Sequence, residues 1–163
     1  MNNYATITGY GFNVDHINLK QLNAGSIQKV LDFAPNFKAW LEDVGHYPCQ
    51  KTAACDWMDA LDDSYPDDMN RMGLSRILYA ALNEHAAALG YGDGFFDSMK
   101  EVETDENYIL YVQRFPWEMI TPIEKALTPE KLNADFFEPV LAALGIPTSN
   151  IVDSVDVWHI EIC

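Results

Sequence analysis

Between Asn70 and Gly90 the chain repeats apolar residues at three-and-four spacing: Leu74, Ile77, Leu78, Ala81 and Leu82, with His85 and Leu89 continuing the stripe. This is the pattern of an α-helix that rests one face on a core. Asp67 or Asn70 is the expected N-cap, and Gly90 supplies a C-terminal residue free to take positive φ. No strand pattern occurs between Ser26 and Leu89. Helices therefore follow one another without intervening strands, which rules out the alternation of a doubly wound fold.

Three helices are expected ahead of the long one. Ser26 to Ala34 has Ser26 as N-cap and Ile27, Val30 and Leu31 on one stripe, with Pro35 stopping it. Phe37 to Val44 places Phe37, Trp40, Leu41 and Val44 on a core face, with Gly45 as C-cap. The third runs from Gln50 to just before Pro66 and sets Ala54, Trp57, Met58 and Leu61 on one side, and Asp56, Asp59 and Asp63 on the other.

Strands flank this run. From Tyr4 to Val14, Tyr4, Thr6, Thr8, Tyr10, Phe12 and Val14 share one face, while Ala5, Ile7, Gly9 and Gly11 share the other. The two glycines thin that second face and invite close approach by a helix, a bulge or a ligand. After the glycine-rich GYGDGF, Phe95 to Glu103 and Asn107 to Gln113 read as a hairpin turning at Thr104, Asp105 and Glu106. Thr128, Pro129 and Glu130 then start a helix with Leu132, Phe136, Val140 and Leu144 inward, which Pro139 kinks or divides. Ile151 to Ile162 reads as a final strand whose apolar phase slips between Val157 and Trp158, the mark of a bulge. The expected fold is α+β: one domain over residues 1–163, with a mostly antiparallel sheet of about four strands and several helices packed on it.

Formal net charge is -15, from 25 acidic residues against 10 Lys and Arg. A surface so poor in cations disfavours direct binding to nucleic acid or to anionic membrane. It permits a basic protein partner. The N-terminus has neither a basic region nor an apolar one for export, so the cytoplasm is the default location. Cys49, Cys55 and Cys163 are too few for a disulfide framework.

The chemistry-bearing candidates are few. Asp56, Asp59, Asp62, Asp63, Asp67 and Asp68 crowd the end of the third helix and the start of the fourth with no Lys or Arg between them. Their spacing does not match a calcium loop. Either they are a solvated face, or they are the residues that meet a basic partner, in the limit by standing where nucleic-acid phosphates would. His46 lies close to Cys49, and Cys55 follows, but zinc takes four ligands and no second close pair is present, so no metal or cofactor is assigned. No hydrolase or nucleotide-binding motif surrounds His16, His46, His85 or His159, and no catalytic residue is assigned. His85, central on its apolar stripe, is expected to be a satisfied core histidine.

The segments NYILYVQRFPWEM and LTPEKL, together with TGYGF at Thr8 to Phe12, resemble small uncharacterised proteins encoded by phages and mobile elements of Gram-positive bacteria. Pro139, inside the helix after LTPEKL, departs from their pattern. The resemblance implies an accessory protein that acts by binding, and carries no catalytic residue with it. The expected function is a non-enzymatic acidic inhibitor of a basic, nucleic-acid-binding host protein. The alternatives are a small carboxylate- or metal-dependent enzyme using His46 and Cys49, and a structural homo-oligomer pairing through the terminal strand near Trp158.

Overall fold

The computed structural model describes residues 4–17, 22, 24–43, 66–92, 94–112, 127–145 and 155–163. The fold is α+β. Strand β1 (Ala5–Asn13) leads through a 3-10 turn (Val14–His16) to helices α1 (Ala24–Leu31), α2 (Pro35–Asp43) and α3 (Pro66–Ala88). The hairpin β2 (Asp97–Lys100) and β3 (Asn107–Tyr111) follows, then α4 (Pro129–Leu132), a π-helical turn (Asn133–Phe137), α5 (Glu138–Ala143) and β4 (Val155–Ile162). The four strands form one antiparallel sheet in the order β2-β3-β1-β4. No helix among the described residues is long and apolar enough to cross a membrane.

Leu74, Ile77, Leu78, Ala81 and Leu82 of α3 are all fully buried, and meet Phe12, Ile109, Tyr111 and Val155 on the helix-bearing face of the sheet. The stripe does not run to its expected end, because Leu89 is half-exposed just beyond the last helical turn. Gly90, with φ of 94°, closes α3: its N–H donates to Ala87 C=O (3.1 Å) and that of Tyr91 to Ala86 C=O (3.0 Å). Asn83 fixes the next segment to the helix, accepting from Phe96 N–H (2.8 Å) and donating to Phe96 C=O (3.2 Å).

α1 starts two residues before Ser26, so that serine lies buried inside the first turn and is not the N-cap. Ala24, of the residue type with the highest helix propensity, extends the element instead. Pro35 follows the end of α1 but opens α2, where its missing N–H is unneeded. Leu41 is buried as expected, whereas Trp40 is 43% exposed, stacked on Phe37 with the Arg76 guanidinium over its ring. Val44, Gly45 and the helix expected from Gln50 lie outside the described residues.

The second face of the sheet carries its own cluster: Ile7, Tyr108, Leu110 and Ile160, with Met99, Val112, Trp158 and Ile162 packed against them. Curling of the sheet brings these strand residues together. Val102 N–H, just past β2 on one edge, donates to Glu161 C=O in β4 on the other (2.9 Å). Gly9 and Gly11 make the curl possible. A Cβ on Gly11 would stand 2.0 Å from the carbonyl oxygen of Ile109, and one on Gly9 2.9 Å from the Cβ of Leu110. What stands close to these glycines is strand β3 and Val112 just beyond it, in place of the helix, bulge or ligand expected from the sequence. The same two-sided burial explains the apolar phase of β4. Its register with β1 is unbroken from Ala5 opposite Ile162 to Phe12 opposite Val155, so no bulge is present in the described strand. Val155 packs on the helix side and Trp158 and Ile160 on the inner side, so the slip records a change of buried face.

Thr128 caps α4 as expected, its hydroxyl accepting from Lys131 N–H, and Leu132, Phe136, Val140 and Leu144 are all buried. The run is divided as expected of Pro139: a π-helical turn (Asn133–Phe137) separates α4 from α5, although helical residues continue from Pro129 to Ala143. The turn before it widens, with Glu138 N–H bonding the carbonyl of Asn133, five residues back. Pro139 has no N–H for the carbonyl of Asp135, four residues back. That carbonyl is instead 3.0 Å from His85 Nε2.

Candidate functional site

Of the aspartates expected to meet a partner, Asp56, Asp59, Asp62 and Asp63 lie outside the described residues, as do His46, Cys49 and Cys55. Asp67 and Asp68 fall in the first turn of α3, directly after Pro66. Acidic residues are favoured in a first turn whatever else they do, because the helix macrodipole is positive there.

A different group of acids is drawn together by the fold. The β2–β3 turn contains Glu101, Glu103, Asp105 and Glu106, and β1 ends against it, bringing Asp15 and His16 alongside. The turn is built for this. Asp105 takes φ of 57°, a left-handed conformation that aspartate tolerates, and Glu101 N–H donates to Glu106 C=O (3.0 Å). Asp15 Oδ2 accepts from Asn107 N–H (2.8 Å). Fully buried Asn13 donates through Nδ2 to Glu106 Oε2 (2.6 Å) and accepts through Oδ1 from Asp15 N–H (2.8 Å). The Tyr108 hydroxyl donates to the same Glu106 oxygen (3.4 Å), and that of Thr104 to Glu101 Oε1 (3.1 Å).

The carboxylates of Asp15, Glu101 and Glu106 are therefore oriented by hydrogen bonds within the fold. Their charge is also felt nearby: burial, then Glu101 and Glu106, raises the Tyr108 phenol above its ordinary value. His16 Nε2 lies 3.3 Å from Asn13 Nδ2, and its ring stands edge-on to Trp158, whose indole N–H donates to Gly11 C=O (3.1 Å). Asn13 thus links a histidine to a glutamate, yet no serine, threonine or cysteine is hydrogen-bonded to that histidine among the described contacts. The arrangement presents oriented negative charge.

The second polar locus is His85. Its ring is held edge-on by Phe33 (5.1 Å) and Phe136 (5.7 Å). A carbonyl can only accept, so the proton of the neutral ring sits on Nε2, and the histidine serves packing and hydrogen bonding inside the fold. Neighbouring Glu84 is also engaged: its carboxylate accepts from the N–H groups of Asn36 (2.8 Å) and Phe37 (3.1 Å), capping α2 from another helix. Thr8 Oγ1 and His159 Nδ1 meet at 2.8 Å on the exposed part of β1 and β4. Among the described residues, no group of three or more His, Cys, Asp and Glu side chains is arranged to hold a metal ion.

The acidic sheet end escaped sequence reasoning because its partners are remote. Asn107 follows Asp15 by 92 residues, and Glu106 follows Asn13 by 93. The available signal was the acid-dense EVETDE, which reads locally as nothing more than a polar turn. Comparison of the chain with protein-family models, with curated proteins and with solved structures gives no match.

Proposed function

We propose that this chain is a non-enzymatic, cytoplasmic protein-binding module that offers an acidic surface to a basic partner. The partner class it fits best is a nucleic-acid-binding host protein, with the chain acting as an inhibitor of phage or mobile-element type whose carboxylates take the place of phosphates. The observation that carries this reading is 25 acids against 10 Lys and Arg, joined to a sheet end where Asp15, Glu101 and Glu106 are already fixed by hydrogen bonds. Fixed charges lose little freedom on binding and steer a basic protein into register.

The test is affinity capture from bacterial lysate at low and high salt. Two variants accompany the native chain: one reversing Asp59, Asp63 and Asp67 to lysine, the other reversing Glu103 and Asp105. The expected result is a basic protein retained at low salt, released by salt, and lost from at least one variant. Retention at high salt by the native chain and by both variants overturns the reading.

A further inference from the structure

The hydrogen bond between His16 and Asn13 has a determined direction. The Asn13 amide cannot be turned over: its Oδ1 accepts from Asp15 N–H (2.8 Å), and its Nδ2 lies 2.6 Å from Glu106 Oε2, where a donor must meet the carboxylate. Nδ2 is therefore the atom that faces His16 Nε2 at 3.3 Å, and Nε2 must accept. This contact exists only while the ring is neutral, with its proton on Nδ1. A second proton goes onto Nε2 and sets donor against donor. Asn13 is fully buried and cannot yield without disturbing its bonds to Asp15 and Glu106, whereas His16 is exposed and can move.

The groups around the ring direct that movement towards Glu106. One amide nitrogen touches both Nε2 and Glu106 Oε2, so ring and carboxylate are neighbours. Among the described residues every donor to that carboxylate is neutral: Asn13 Nδ2 and, from β3, the Tyr108 hydroxyl at 3.4 Å. From its own turn the ring has Asp15, whose Oδ2 accepts from Asn107 N–H, and from β4 the Trp158 ring, with exposed Asp156 two residues before it. Glu101 stands with Glu106 around Tyr108. The charged and titratable side chains of α3 with described contacts face elsewhere: Arg76 lies over Trp40, Glu84 caps α2, and His85 bonds the Asp135 carbonyl.

We propose that His16 is a proton-operated switch on the acidic sheet end. Neutral, it accepts from Asn13 and leaves Glu106 a full negative charge. Doubly protonated, it releases the amide, swings its Nε2–H onto Glu106 Oε2 and answers that charge from within the chain, as acidity rises through the range in which histidines titrate. The acidic surface is thus offered to a basic ligand at neutral pH and weakened by acid. The inference rests on the reading of the sheet end as the surface that meets a basic partner, and adds its regulation.

The test is NMR of the isotope-labelled full chain from about pH 8 to about pH 5, across the histidine range, followed by binding of octalysine near either end of that range at fixed ionic strength. At the upper end the His16 nitrogen shifts should place the proton on Nδ1. As the pH falls, the Asn13 side-chain amide and the Glu106 carboxylate should move with the same midpoint as the His16 ring. His16→Gln, which can still accept from Asn13 but takes up no proton, should lose both movements while its spectrum keeps the native dispersion. Octalysine binding should weaken on acidification by about threefold more in the native chain than in His16→Gln, the worth of one exposed charge pair. A neutral ring protonated on Nε2, an Asn13 amide that does not follow the ring, movements that persist in His16→Gln, or equal acid sensitivity of octalysine binding in the two chains overturns the proposal. If Asn13 and Glu106 follow the ring while octalysine binds neither chain at either pH, the switch stands and the reading of the chain as a binder of basic proteins falls.

Discussion

Replacing His85 by alanine separates a structural histidine from a spectator. Among the described residues the side chain makes one hydrogen bond, to the Asp135 carbonyl at 3.0 Å, and two edge-on ring contacts, to Phe33 and Phe136. The hydrogen bond contributes about 1 kcal/mol net. The ring contacts add about 0.5 to 1.5 kcal/mol each. His85→Ala should therefore cost about 3 kcal/mol, or roughly 6 to 12 °C in Tm for a chain of this size. Denaturant titration with an unchanged m-value would establish that the loss is one of stability. The sharper test uses Pro139, which has no N–H for the carbonyl that His85 satisfies. Pro139→Ala supplies that N–H. In a chain already carrying Pro139→Ala, His85→Ala should cost about 1 kcal/mol less than in the native one, since the carbonyl then has a second donor. Additivity within about 0.4 kcal/mol would refute the assignment, because residues sharing no partner do not couple.

Three further outcomes follow from the geometry. Gly11→Ala should destabilise by about 3 kcal/mol and Gly9→Ala by less, because the first meets the Ile109 backbone carbonyl and the second first meets the Leu110 side chain; hydrogen exchange across β1 and β3 would report the order. Glu84→Ala should cost about 1 kcal/mol by uncapping α2, with increased exchange at Asn36 and Phe37. Tyr108 is neutral when protonated and its folded-state value is raised by burial and by Glu101 and Glu106, so the unfolded chain gives up this proton first as pH rises. Stability should hold below about pH 10 and fall above it, and Tyr108→Phe should flatten that fall in alkaline denaturation curves.

Where periodicity alone decides, the fold was readable from the sequence. The α3 stripe, the alternation in β1, the hairpin and the Thr128 cap all rest on neighbours within a few residues, and all are present. What failed depended on the extent of the surrounding layer. Trp40 and Leu89 obey the helical pattern but fall outside the area their helices cover. The slip in β4 looked like a bulge because a single buried face was assumed, whereas Val155 and Ile160 enter different clusters. Pro139 announced a disturbance, but its resolution came from a histidine on α3, bonded to a carbonyl 50 residues further along the chain. The acidic sheet end is the same case, since Asn13 and Asp15 fix carboxylate and backbone across more than half the chain.

The hydrogen bond from Val102 to Glu161 has a bearing on how this molecule meets others. It shows that the Glu161 backbone points away from β1, and the two-residue period of a strand puts the Val157 N–H on the same side. That N–H is already held by its neighbour Asp156, whose Oδ1 accepts it at 2.7 Å. Two outward-pointing groups of the terminal strand are thus engaged by the chain itself, with Asp156, His159 and Glu161 exposed along it. Such an edge resists extension by a foreign strand. Runaway stacking of copies through this edge is discouraged.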